Sequence, residues 1–350
     1  MSDKPVYLDH AATTPLLPAA RDAWAEGAAI WANPSSPHRQ GRAARAALED
    51  ARARVKAALG WDGEVIFTSG ASEALAIGLG RCHRRLAALS SVEHDAVLRH
   101  AGDAVLLPVD GCGRVAPAAA AHAGLVAVQQ VNSETGVIQP LGAIAGSVRE
   151  AGGWLLADCA QGAGKIALPD ADLIAIAAHK FGGPIGIGAL LLRDWAMLEP
   201  GGGQERGYRA GTENLPAAMA MAAALEAGNG WLAEAARLRR LGECGIVEAG
   251  GEVVAEEALR IATIGAYRMP CVASAVQLIR FDGIGIAVSA GSACSSGSLR
   301  TSHVLRAMGL PEAAASEVIR VSIGRETGQG DIVRFLDAWR MIAGKARAAA

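Results

Sequence analysis

"DLIAIAAHKFGGPIGIGALLLR", residues 172–193, holds two apolar runs on either side of a short stretch built from His179, Lys180, Phe181 and several glycines. "DLIAIAAH" (172–179) and "GALLLR" (188–193) are apolar along their whole length, a pattern that suits strands covered on both faces. Lysine is rarely placed against such a strand, because its ammonium resists burial. Taken alone, Lys180 reads as a strand-end lysine pointing to solvent. The sharper reading is an amine desolvated at the carboxyl end of a sheet, nucleophilic enough to form a Schiff base.

The neighbouring sequence repeats the alternation. "GRAARAALEDARARVKAALG" (41–60) is rich in helix formers and stops at Gly60, with Arg45–Glu49 and Asp50–Arg54 spaced to support its exposed face. "EVIFTSGASEALAIGLG" reads as strand, glycine turn and helix. "LVAVQQVN" (125–132) reads as a strand, "LGAIAGSVREAGG" (141–153) as a helix and "WLLADC" (154–159) as a further strand. Strand and helix in alternation predict an α/β layered fold with a largely parallel sheet. From about residue 217 the texture changes. "AAMAMAAALEAGNGWLAEAARLRRLGE" reads as helical, and the C-terminal segment is amphipathic, with Ile332, Val333, Phe335, Leu336 and Trp339 able to share one face. A second, smaller α/β domain follows from this.

The chain has 350 residues, more than one core usually serves. Its 33 basic against 35 acidic side chains leave a net charge of −2, without the basic footprint of a nucleic-acid binder. No apolar run reaches membrane-spanning length and "MSDKPVYLDH" lacks the features of a secretory signal, so a soluble, cytoplasmic protein is expected. The six cysteines are scattered without a C-x-x-C pair, which argues against a disulfide framework or a metal site. Most are expected to be buried small hydrophobes. Cys294 is the exception, lying in "AGSACSSGS" (290–298), a run of small residues suited to a loop.

Two further features combine with Lys180. "FTSGASEA" (67–74) opens a helix at Ala71 and Ser72 after a glycine turn, where free backbone N–H groups can receive a phosphate. "ADCAQ" (157–161) strands Asp158 at the end of an apolar run, an acid in need of a cationic partner such as a protonated pyridine nitrogen. A phosphate cradle, an acid and a lysine on strand ends of one sheet describe a site for pyridoxal 5'-phosphate.

With these residues stand "YLDHAATTP" (7–15), "NPSSPHRQG" (33–41), "VEHDAV" (92–97), "NSETGVIQP" (132–140), "HKFGGPIGIGAL" (179–190), "ERGYRAGTEN" (205–214), "GSACSSGS" (291–298) and "IRVSIGR" (319–325). Together they resemble the cysteine desulfurase family of class V aminotransferases, in the branch with the GSAC-S-S loop. The resemblance implies fold type I of the pyridoxal phosphate-dependent transferases. A large cofactor domain with a mostly parallel sheet flanked by helices is expected over residues 14–226, and a smaller α/β domain over 1–13 and 227–350.

The resemblance also implies roles. Lys180 would hold the cofactor and move the substrate's Cα proton, Asp158 would face the pyridine nitrogen, Gln161 would donate to the phenolic oxygen, and Asn132 and Ser133 would bind the cofactor, Ser133 standing where the family has a second bond to that oxygen. His94 would stack on the ring and pass protons. Ala71, Ser72 and His179 would hold the phosphate, with Thr212 reaching it from the second subunit of a homodimer. Arg320 and Asn33 would bind the substrate, L-cysteine. Cys294 would take its sulfur as a persulfide and pass it to an acceptor, an iron–sulfur scaffold or a sulfur carrier. Two positions depart from the family's pattern: Ser133 replaces a second asparagine, and Ala177 replaces a hydroxyl residue that binds phosphate. The stretch from "GTEN" to "GSAC" is also short for the family. Two further readings stay open: a related lyase or aminotransferase, for example one acting on selenocysteine, and a paralogue without turnover that serves as a scaffold partner.

Overall fold

A computed structural model describes residues 5–291 and 301–347 of the chain. Its strands, in chain order, are β1 (Val6–Tyr7), β2 (Glu64–Thr68), β3 (Leu86–Ser90), β4 (Val105–Leu107), β5 (Leu125–Ala127), β6 (Trp154–Asp158), β7 (Leu173–Ala177), β8 (Gly188–Leu192), β9 (Glu252–Val253), β10 (Ile264–Arg268), β11 (Ile286–Ala287) and β12 (Val318–Ser322). Seven of them form one sheet in the order β2-β8-β7-β6-β5-β3-β4. The pairs from β7 to β4 are parallel, whereas β8 is antiparallel to both β7 and β2. The sheet is therefore mostly parallel with a single reversed strand. β7 and β8 are buried at every residue, as their unbroken apolar runs require.

Only β8 is reversed, so the carboxyl ends of β2, β3, β5, β6 and β7 share one edge of the sheet with the first residue of β8. In open α/β sheets this edge is where a ligand crevice forms. Gly188 shows how tightly it is built. A Cβ there would lie 2.4 Å from the Ile176 carbonyl and 2.7 Å from Gly70 Cα. Only a glycine lets the three backbones converge.

Apolar side chains cover both faces of the sheet. Leu48, Val55 and Met221 belong to one cluster, and Leu75, Val97 and Leu190 to the other. A separate cluster gathers Val6 and Leu8 with Leu238, Phe281, Ile319, Phe335 and Trp339, around the three-stranded sheet β12-β10-β9 and the parallel pair β1-β11. The N-terminal strand thus packs with the C-terminal third of the chain.

Four local expectations need correction. The run 217–243 is two helices, Leu215–Glu226 and Leu232–Glu248, broken where Gly228 takes a φ of 69°. β5 ends at Ala127 rather than at 132, because Gln129 N–H donates to the Glu93 carboxylate instead of a neighbouring strand. In the helix Gln329–Arg347, Ile332, Phe335, Leu336 and Trp339 are buried at helical spacing, but Val333 lies off that stripe and is 43% exposed. Of the five cysteines described, all free, only Cys159 is buried; Cys244 and Cys271 are exposed. No helix among the described residues is long and apolar enough to cross a membrane.

Candidate active site

A cleft of about 440 Å³ opens along the shared strand edge. Its wall includes Ala71, Ser72, His94, Ser133, Asp158, Gln161, His179, Lys180 and Arg320, which lie far apart in sequence.

One end is the start of the helix Ala71–Arg81. Gly70 precedes it with φ 157° and ψ 178°, a backbone conformation close to glycine's own territory. No side chain caps this helix, so its first N–H groups remain available to an anion. Glu73, also on the wall, does not oppose an anion with a bare charge. Its carboxylate accepts from Ser69 N–H and from Arg209 Nε at 3.0 Å, which hold its pKa low. Arg209 belongs to the segment after Glu205, which is fixed by a buried bidentate pair: Arg52 donates to both Glu205 oxygens at 2.7 and 3.1 Å.

The middle of the cleft holds the titratable groups. Asp158, at the end of β6, accepts from Ala160 N–H at 2.9 Å, and burial raises its pKa against the pull of His94 and Lys180. His94 Nδ1 accepts from Ala96 N–H at 3.1 Å, which leaves the ring proton on Nε2. Lys180 Nζ donates to the carbonyls of Ala11 and Ala12 at 2.7 and 2.9 Å. Gln161 Nε2 donates to the same Ala11 carbonyl at 2.9 Å, while its buried Oε1 has no partner among the described residues. Burial and the two nearby lysines push His179 down to about 4, so the imidazole is uncharged at neutral pH. Its Nδ1 lies 3.4 Å from Thr13 Oγ1.

Arg320, on β12, closes the other side. Its Nη2 lies 2.7 Å from Asp9 Oδ1, its Nη1 donates to the Ser133 carbonyl at 3.0 Å, and its Nε has no partner among the described residues. Sequence reasoning assigned no role to Asp9, or to the Ala11 and Ala12 carbonyls. All three lie in "YLDHAATTP", the stretch that should have drawn attention to them.

Three predicted residues do not reach this wall. Asn132 is turned away: its Oδ1 accepts from Glu134 and Thr135 N–H, and its Nδ2 donates to the Val92 carbonyl. It shapes the turn that presents Ser133 and is not itself a cleft residue. Asn33 and Thr212 are exposed and stand off the cleft. Their segments meet through Ser35 and Gln204, hydrogen-bonded at 2.8 Å.

Cys294 lies outside the described residues. The residues on either side are tied to the cleft. Ser289 pairs with Arg320 through both backbone bonds, at 2.7 and 3.1 Å. Ser302 donates to the Glu134 carboxylate at 2.6 Å, beside Ser133.

The donor set fits a phosphorylated pyridine aldehyde. The uncapped helix start suits the phosphate, the Gln161 Oε1 left open among the described residues shows polar capacity on the wall, and Asp158, whose burial outweighs the nearby His94 and Lys180 charges, suits a further cationic partner.

Residues 6–335 match the family model for class V aminotransferases. A cysteine desulfurase of Cereibacter sphaeroides is 36% identical over 374 residues, covering 98% of this chain and 97% of the relative. An IscS-like cysteine desulfurase of Mycobacterium tuberculosis is also 36% identical, covering 98% of each. Among solved structures, a NifS-like protein superimposes with a TM-score of 0.88 at 28% identity, over 97% of this chain and 99% of that one. The chain belongs to the class V aminotransferase family, in its cysteine desulfurase branch.

Proposed function

We propose that the protein is a pyridoxal phosphate-dependent cysteine desulfurase that converts L-cysteine to L-alanine and passes the sulfur to Cys294. The observation that carries this is the convergence of Lys180, Asp158 and the uncapped helix start at Ala71 on one cleft, with Arg320 on its opposite wall. Relatives over nearly the full length bear the same activity in their names.

Ala71, Ser72 and His179 would hold the cofactor's phosphate, Asp158 its pyridine nitrogen and Lys180 its aldehyde carbon. When bound, the cofactor supplies an electron sink that makes the substrate's Cα–H acidic. Lys180 takes and returns that proton, and His94, with its proton on Nε2, can move another at the cleft's edge. Arg320 binds the substrate carboxylate through the donors that Asp9 and Ser133 leave open. Cys294 Sγ bonds to the substrate sulfur as the C–S bond breaks, and its electron pair stays with the carbon fragment. The sum, L-cysteine plus thiol giving L-alanine plus persulfide, balances without an outside oxidant. A sulfur carrier or iron–sulfur scaffold then removes the sulfur. Exposed Thr212 suits the reading that a second copy completes the site in a homodimer.

The test is direct. Purified protein given cysteine should form alanine, and sulfide in the presence of a reductant. Lys180→Ala should form neither, and Cys294→Ala should lose sulfur transfer. Absence of alanine from the unaltered, cofactor-loaded protein would overturn the proposal and favour a scaffold.

A further inference from the structure

A second cavity, about 20 Å³ and large enough for a single water-sized occupant, shares Ala11 and Lys180 with the cleft. Four basic side chains line it, His10, Lys165, Lys180 and Arg325, and no carboxylate does. Lys165 is 6% exposed. Its Nζ donates to the Gln161 carbonyl at 3.0 Å, and an ammonium has further N–H groups to give. Arg325 stands over the Trp231 ring, 5.5 Å from its centroid, and donates to the Gly228 carbonyl. Among the described residues neither Lys165 nor Arg325 pairs with a carboxylate.

Uncommitted polar atoms gather on the same wall. Thr263 Oγ1, Trp231 Nε1 and His10 Nδ1 are all buried, and none has a hydrogen-bond partner among the described residues. Such atoms are rare in folded proteins, so three around one cavity ask for an occupant. The threonine hydroxyl and the indole N–H can both donate, as can the open N–H groups of Lys165. The charge balance agrees with this. A buried ammonium without a counter-ion is unfavourable, and burial with the Lys180 charge brings Lys165 down to about 7. Asp158 favours the charge on Lys180, but it stands on the cleft wall and not on this one. The wall is thus rich in donors and cations and poor in negative charge.

We propose that this cavity binds one small monovalent anion of chloride's size, held by Lys165, Thr263, Trp231 and Arg325. Its volume admits a monatomic ion and excludes a phosphate or a carboxylate, whose several heavy atoms exceed one water-sized space. The ion takes the N–H and O–H groups that the wall leaves open and sets a negative charge against the Lys165 ammonium. The site stands beside the cleft and does not depend on the desulfurase reading.

Crystals of the full-length protein with pyridoxal phosphate, grown in sodium bromide, should show an anomalous bromide peak in this cavity. In solution, urea unfolding is followed just below neutral pH while chloride replaces isethionate, a sulfonate too large for the cavity, at constant ionic strength. Above the Kd of one bound chloride, each tenfold rise in its concentration should lower the unfolding constant roughly tenfold. Lys165→Met should abolish that dependence, read against its own chloride-free baseline. Should this variant fail to fold by circular dichroism, Thr263→Val, which keeps every charge, should need several-fold more chloride for the same effect. A cavity without a bromide peak, a bromide at the Ala71 helix start alone, or a chloride dependence unchanged in these variants would overturn the proposal. Neither readout uses turnover, so loss of the desulfurase reading would leave both as measured.

Discussion

At Ser133 and Ala177 the cleft wall lacks two polar groups that the family's pattern places there. Ser133 offers its carbonyl to Arg320, and Ala177 presents only a methyl group. One charge-assisted hydrogen bond contributes on the order of 1.5–3 kcal/mol, so its absence weakens binding by tenfold or more. Ala177→Ser should therefore tighten cofactor binding by roughly tenfold, measured by titrating pyridoxal phosphate into the cofactor-free protein. No gain would mean that the added hydroxyl does not reach the phosphate. Lys180 and Asp158 stood out in the sequence because each lies at or just past the end of an apolar run, whereas Gln161 was singled out only by the family resemblance. The role of Asn132 was not legible: its position was read correctly, but its side chain is committed to the backbone of its own turn.

Elements set the site by where they start. β7 and β8 press against the start of the helix Ala71–Arg81 at Gly188, whose missing Cβ makes room for the Ile176 carbonyl and for Gly70. Gly188→Ala should cost about 1–3 kcal/mol in denaturant unfolding and should weaken cofactor binding at the same time. Lost stability with unchanged binding would separate the close approach from the cradle. The helix His303–Ala307 is held in a second way. Ser302 caps it by accepting from Leu305 N–H at 3.1 Å and donates to Glu134, a carboxylate whose pKa burial raises. Ser302→Ala removes both bonds and should cost about 2–4 kcal/mol, the sum of a lost cap and a stranded buried acceptor. A loss below about 1 kcal/mol would show that water replaces the hydroxyl. The sequence reading assigned no element to residues 303–307. The partner of Ser302 lies 168 residues away, a separation that no local pattern encodes.

For the molecule as a whole, burial of titratable groups fixes the pH response. His10 has a folded-state pKa of about 4 against an ordinary 6.5, set first by burial and then by the Lys165 charge. Between these values the unfolded chain binds a proton that the folded imidazole refuses. This contribution to stability is therefore intact above pH 6.5 and is lost as pH falls toward 4. Asp158, Glu93 and Glu134 have raised pKa values and act with the opposite sign over an acidic range, so the total curve mixes the two. Comparison with His10→Asn isolates the histidine. Urea unfolding should show the variant losing less stability across that interval, by on the order of 3 kcal/mol. Parallel curves would place the sensitivity elsewhere. The sequence by itself determined the alternating strands and helices, the glycine turn before Ala71 and the polar residues at strand ends, because apolar periodicity and backbone freedom act over a few neighbouring residues. Tertiary structure alone decided which of them meet. Asp9 reaches Arg320 across 311 positions, Lys165 and Lys180 come to share a wall, and Val333 turns outward while its neighbours pack. Those outcomes depend on how whole layers stack, and stacking is set by the summed burial of both apolar clusters rather than by any one segment.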